Sequence, residues 1–155
     1  MTIYNLPPQL TPFVGRRPEL AEIARLLADP NCRLLTLVGP GGIGKSRLAL
    51  QAAFAEAERY ADGVYFVALD RLDSPECLVG AIAEALGFEF HDAGDPRRRL
   101  LDNLSGRQML LLLDNLEHLL DGVGLISDIL AAAPDVKVIA TSREALNLQE
   151  EWLYT

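Results

Sequence analysis

The sequence predicts an α/β fold, a three-layer αβα sandwich around a mostly parallel sheet, on three observations. Four short, nearly continuous apolar runs, at residues 33–38 (RLLTLV), 64–69, 109–113 and 136–140, have the character of strands buried on both faces. The segments between them carry helix signals, so the order is βαβα, which right-handed crossovers fold into a sheet covered on either side. The chain of 155 residues is half apolar and 23% charged, enough for one buried core in one domain.

Taken in order, residues 1–12 contain Pro7, Pro8 and Pro12 and read as an extended linker, with the domain proper, 13–155, starting at Phe13. From Pro18, tolerated at a first helical position, Leu20, Ile23, Ala24 and Leu27 recur at helical spacing until Asp29-Pro30 closes the run. After the first strand, a helix is predicted over 45–60. A second covers 75–86, with Ser74 as N-cap and Gly87 as its stop. Asp95-Pro96 opens a short helix to Leu104, and a longer one over 116–133 ends before Pro134.

Charge and cysteine usage exclude several function classes. A formal net charge of −8 has the wrong sign for holding phosphate backbones, so direct nucleic-acid contact by this segment is not expected. No apolar run approaches the roughly 20 residues that cross a bilayer, so no membrane span is expected. The N-terminus has neither a basic start nor an apolar signal core, which points to a cytoplasmic protein. Cys32 and Cys77 form no CxxC pair and have no clustered His, so they read as reduced, mostly buried thiols, not as a zinc site or disulfide framework. Arg outnumbers Lys twelve to two, a compositional hint of a GC-rich bacterial source.

Gly39-Pro40-Gly41-Gly42-Ile43-Gly44-Lys45-Ser46 fits the phosphate-loop pattern G-x-x-x-x-G-K-[ST], and it lies between an apolar strand and a helix, as the mechanism requires. Glycines let successive N–H groups converge, and the helix start adds its positive dipole end, so a polyphosphate fits. The nucleotide-contacting set here is Gly39, Gly41, Gly42, Ile43, Gly44, Lys45, Ser46 and Arg47. Lys45 would reach the β- and γ-phosphates, and the Ser46 hydroxyl would join the coordination of Mg²⁺.

A second oxygen for that metal is offered by Asp114, at the end of Leu110-Leu111-Leu112-Leu113. Asn115 follows, and an amide can orient water but cannot take its proton. Glu117 is the nearest carboxylate, placed by the predicted helix on its first turn. It is either a general base or an acid complementing the helix dipole, and the sequence leaves both open. His118 reads as an exposed helical His. Arg143, just past the tip of the fourth strand, points towards bound phosphates in an open α/β sheet and suits a γ-phosphate sensor. Arg97-Arg98-Arg99 reads as a solvated face, and His91 has no chemical partner nearby.

Phe13-Val14-Gly15-Arg16, the phosphate loop, LLLLDNLEHLL at 110–120 and ATSREAL at 140–146 together resemble the NTPase core of the STAND ATPases, which include the NB-ARC domains. DNLEH, TSREAL and the NLPPQLTPFVGR lead-in are most similar to the large bacterial regulators of the LuxR and SARP types and their cyclase-fused relatives. The resemblance implies a P-loop NTPase core with strand order 5-1-4-3-2 and adenine contacts from Val14 and Arg16. It also implies a switch in which ADP holds a closed form and ATP favours an open one capable of self-association. In such families the segment after Trp152-Leu153-Tyr154 leads into helical and winged-helix domains, which implies that 13–155 is a core cut from a longer chain whose other domains are its partners.

The resulting expectation is an ATP/ADP-binding, Mg²⁺-dependent regulatory ATPase with slow hydrolysis, with Lys45, Asp114, Glu117 and Arg143 as its catalytic set. A mechanical AAA+-type ATPase is the alternative, because replication-initiator relatives share a Val-Gly-Arg-like start, and Asn115 in place of an acid argues against it. An interaction module on a P-loop scaffold is disfavoured by the intact Lys45, Ser46 and Asp114.

Overall fold

The computed structural model describes residues 17–40, 44–87, 89 and 94–155. The linker at 1–12, the stretch 13–16 with Val14 and Arg16, the loop residues Gly41, Gly42 and Ile43, and His91 lie outside the described residues. Five helices and five strands alternate as α1 Arg17–Ala28, β1 Leu34–Val38, α2 Lys45–Ala55, β2 Val64–Ala68, α3 Leu78–Leu86, α4 Pro96–Leu104, β3 Met109–Asp114, α5 Gly124–Ala132, β4 Val136–Ser142 and β5 Glu151–Tyr154.

All four strand pairings are parallel, in the order β2-β3-β4-β1-β5, which is 5-1-4-3-2 read from the other edge. The all-Leu body of β3 shows why a continuous apolar run is needed in the middle of such a sheet. Side chains alternate across the pleat, so Leu110 and Leu112 pack with Ile23, Leu48 and Ala53 of α1 and α2. Leu111 and Leu113 pack on the other face with Ile82, Leu100 and Ile126 of α3, α4 and α5. All four leucines are fully buried. The register sets Leu113 of β3 beside Ala140 of β4, and Val38 of β1 beside Ser142 of β4, so the carboxyl ends of the three strands finish together.

Several helix boundaries differ from expectation. The helix predicted over 116–133 starts only at Gly124, because Asn115 takes a left-handed backbone (φ 75) that breaks the chain direction after β3. The Leu116 N–H then donates to the Thr141 carbonyl at 2.9 Å, and a 3-10 turn at Leu120–Gly122 precedes the helix. Leu116, Leu119 and Val123 are buried, so their helix-like spacing marks a core-packed loop. The helix predicted over 45–60 ends at Ala55 and continues as a 3-10 turn, Ala57–Arg59. The 75–86 segment opens with a 3-10 turn at Pro75–Cys77, and Gly87 ends it with φ 80 as a C-cap glycine should. Strand β5 was implied only through the family order. Both cysteines are free thiols; Cys32 is buried, but Cys77, closing that 3-10 turn, is exposed, against the expectation of two mostly buried thiols. Among the described residues no helix is long and apolar enough to cross a membrane.

Candidate functional site

The start of α2 and the carboxyl ends of β2, β3 and β4 line a cavity of about 540 Å³. From the β1 side, the Gly39 N–H donates to the Ser142 carbonyl of β4 at 3.3 Å, anchoring the start of the loop. Gly44 occupies the N-cap of α2 in the left-handed region (φ 81), a conformation that favours glycine. No side chain caps this helix and its first turn holds no acid. An α-helix leaves its first N–H groups without intrahelical acceptors, so this end presents positive potential to the cavity. Lys45 folds its Nζ back onto the Gly39 carbonyl at 2.5 Å and the Pro40 carbonyl at 3.2 Å.

In the same first turn, Ser46 Oγ donates to Asp114 Oδ1 at 2.7 Å. The same oxygen accepts from Thr141 Oγ1 at 2.8 Å, and Thr141 Oγ1 in turn accepts the Asn115 N–H at 2.8 Å. Glu117 stands in a turn and not on a helix, which removes the reading as a first-turn acid on the helix dipole. Its carboxylate lies 3.6 Å from Arg143 Nε, and the Asn115 amide, turned nitrogen-inward, donates to it as well. Arg143 is largely exposed while Glu117 is mostly covered. His118 is not helical either; its Nε2 sits 3.0 Å from the Leu72 carbonyl and ties this turn to the chain after β2.

The structure thus brings Gly44, Lys45, Ser46, Arg47, Asp114, Glu117 and Arg143 to one cavity wall. Sequence reasoning missed Thr141, Phe66, Ala68 and Asp70, which line it too. A signal existed for Thr141, since a polar residue near the tip of a buried strand needs a hydrogen-bonding partner. A second cavity of about 450 Å³ shares Lys45 and is walled by Leu37, Val38, Leu48 and Tyr154, with Glu19 at its edge.

Ser46 and Asp114 fit the demands of Mg²⁺, a hard cation that takes one or two protein oxygens and completes its shell with phosphate and water. Among the described residues no group of three or more His, Cys, Asp or Glu could form an all-protein cage.

Residues 12–139 match the family described as AAA ATPase domain. An uncharacterized protein of Mycobacterium tuberculosis is 38% identical over 143 residues, covering 92% of this chain and 36% of its own length. A second protein of that organism, named as an HTH-type transcriptional regulator, is 40% identical over 124 residues, covering 77% of this chain and 13% of its own. The regulatory protein AfsR of Streptomyces griseus is 30% identical over 150 residues, covering 90% of this chain and 15% of its own. The chain therefore spans about a third or less of the length of these relatives. Among solved structures, Cdc6p from Pyrobaculum aerophilum superposes with a TM-score of 0.65 at 20% identity, over 94% of this chain and 43% of its own. A STAND protein with a tetratricopeptide repeat sensor from Pyrococcus horikoshii gives 0.57 at 21% identity, over 94% of this chain and 23% of its own. At these identities the two structures establish the fold.

Proposed function

This chain belongs to the AAA ATPase domain family and is an ATPase domain of P-loop type, and from that premise we propose that it is the ATP/ADP-binding, Mg²⁺-dependent switch module of a multidomain regulator, with slow hydrolysis. The observation that carries the reading is the start of α2, which has no capping side chain, places Lys45 and Ser46 at one cavity and meets Asp114 there through the Ser46 hydroxyl.

Each residue then has a defined task. Lys45, now held by neutral carbonyls, exchanges them for phosphate oxygens, which are stronger, charge-assisted partners. The N–H groups at the start of α2, with Gly39, Gly41, Gly42, Ile43 and Arg47, cradle the polyphosphate. Ser46 and Asp114 hold Mg²⁺, which when bound neutralises charge on the β- and γ-phosphates. Arg143 exchanges its exposed pairing with Glu117, of a kind worth little, for the γ-phosphate, so that ATP and ADP are told apart. Glu117 is the general base once released. The cavity beyond Lys45, walled in part by Leu37, Val38, Leu48 and Tyr154, receives the base, with Val14 and Arg16 as further contacts. Differential affinity for the two nucleotides supplies the switch. On this reading the module, 13–155, works in the cytoplasm, responds to other domains of a longer chain as the named regulators suggest, and self-associates in its ATP form.

A mechanical ATPase is the second reading, favoured by the AAA family match and opposed by Asn115 where an acid would stand. Calorimetric titration with ATP and ADP, with Mg²⁺ and in excess chelator, combined with turnover, tests both. We expect Mg²⁺-dependent ATP binding, loss of that dependence in Asp114→Ala, a larger loss for ATP than ADP in Arg143→Ala, and turnover far below about 10 s⁻¹. Absence of ATP binding sinks the proposal; fast turnover favours the mechanical reading.

A further inference from the structure

We propose that Thr141 is a positioning residue for the metal-side carboxylate: its hydroxyl fixes the orientation of Asp114 from the β4 side and so sets how strongly Mg²⁺ supports nucleotide binding. The inference rests on the nucleotide-site reading above and deepens it.

Thr141 is only 2% exposed, one residue before the end of β4 and beside Asp114 in the sheet. A hydroxyl carries a single proton. Because Thr141 Oγ1 already accepts the Asn115 N–H at 2.8 Å, and an ionised carboxylate offers no proton, the Thr141 proton is committed to Asp114 Oδ1 at 2.8 Å. Ser46 commits its proton to the same oxygen at 2.7 Å. The carboxylate is thus held by two hydroxyls on one oxygen, one from α2 and one from β4, which fixes its orientation.

A purely structural role explains less. The turn after β3 is already tied to β4 by the main chain, through the Leu116 N–H to the Thr141 carbonyl at 2.9 Å. The hydroxyl adds what that bond does not, a grip on a side chain. Groups that orient metal-binding side chains in this way are commonly worth about 10–100-fold in metal affinity.

The test titrates this chain with ATP, in Mg²⁺ and in excess chelator, for wild type, Thr141→Val and Thr141→Ser, with thermal unfolding of each nucleotide-free protein as a fold control. Thr141→Val should lose about 10-fold or more of ATP affinity in Mg²⁺ and change by less than about 2-fold in chelator, while Thr141→Ser recovers the wild-type values. Thr141→Ala, a second hydroxyl-free variant, should repeat the Val result and replaces it if the Val protein does not fold. Equal losses in both media, or a Ser variant as impaired as the Val one, overturn the role of Thr141 while leaving the nucleotide site standing. A wild-type protein whose ATP affinity ignores Mg²⁺ overturns the site reading and this proposal together.

Discussion

Helices α2 and α4 both begin at the wall of a cavity, and their first turns are built in opposite ways. At α4, Asp95 accepts the Arg97 N–H at 3.1 Å and Pro96 fills the first helical position. Glu76 and Asp121 line the same cavity of about 400 Å³, and Arg97 is paired with Asp128. The cation lining that cavity, Arg97, thus has an anion supplied by the protein. At α2, Gly44 contributes no capping side chain, and Lys45 is left with carbonyl oxygens alone as its hydrogen-bond acceptors among the described residues, while an acid within the first turn is missing from both helices. A cap of the Asp95 type is worth about 1 kcal/mol, so α2 gives up stability that α4 keeps. On the proposed reading, the difference teaches that a helix start capped by its own chain is structural, whereas one left without a capping side chain is prepared for a ligand.

The largest effect that can break this comparison comes from Lys45→Ala. A hydrogen bond to a charged group is worth about 1.5–3 kcal/mol, so ATP affinity should fall roughly 10- to 150-fold with no change in the unfolding midpoint. Calorimetry and thermal denaturation on the same samples check it. Equal affinities would mean that the open end of α2 binds no phosphate.

Asp95→Ala asks the converse question. Its loss should cost about 1 kcal/mol of stability, read by denaturant unfolding, and leave ATP affinity unchanged. If nucleotide binding weakened instead, the two helix starts would not be separate in function.

The smallest effect concerns the amino ends of the strands, away from the phosphate loop. Burial pushes the Cys32 thiol up from 9.0 to about 11 and the Tyr60 hydroxyl up from 10.0 to about 12. Both groups keep in the folded state protons that the unfolded chain releases earlier, so their contribution is complete below pH 9 and is lost as pH rises through 11 and 12. Raising the pH from 8 to 9 should therefore cost only a few tenths of a kcal/mol. Cys32→Ala should flatten that slope in unfolding curves, and ATP affinity should stay level across the same interval.

The Asp95-Pro96 cap, the four apolar strands and the phosphate-loop pattern were legible because each is written in neighbouring residues. The turn after β3 was not. Leu116, Leu119 and Val123 are spaced as on a helix, but the backbone reversal at Asn115 and its ties to Thr141 depend on a strand 26 residues further on. That misreading carried Glu117 onto a helix it does not belong to, and concealed that its neighbours are Arg143 and Asn115. Thr141 was quoted within a motif without a task, because its value lies in a carboxylate on another strand. Strand β5 is four residues long and only partly buried, too short a run for periodicity to speak.

The order β2-β3-β4-β1-β5 has a consequence for synthesis on the ribosome. Strand β1 is the first to be made, yet both of its neighbours, β4 and β5, lie between residues 136 and 154. Until they emerge, the Leu-rich strand carrying the phosphate loop lacks both of its neighbours in this sheet, while β2 and β3 can already pair. Such late, long-range closure is slow and leaves sticky intermediates. A nascent chain halted before Val136 is therefore a protein with its ligand loop translated and nowhere to hang it, and the natural client of a chaperone.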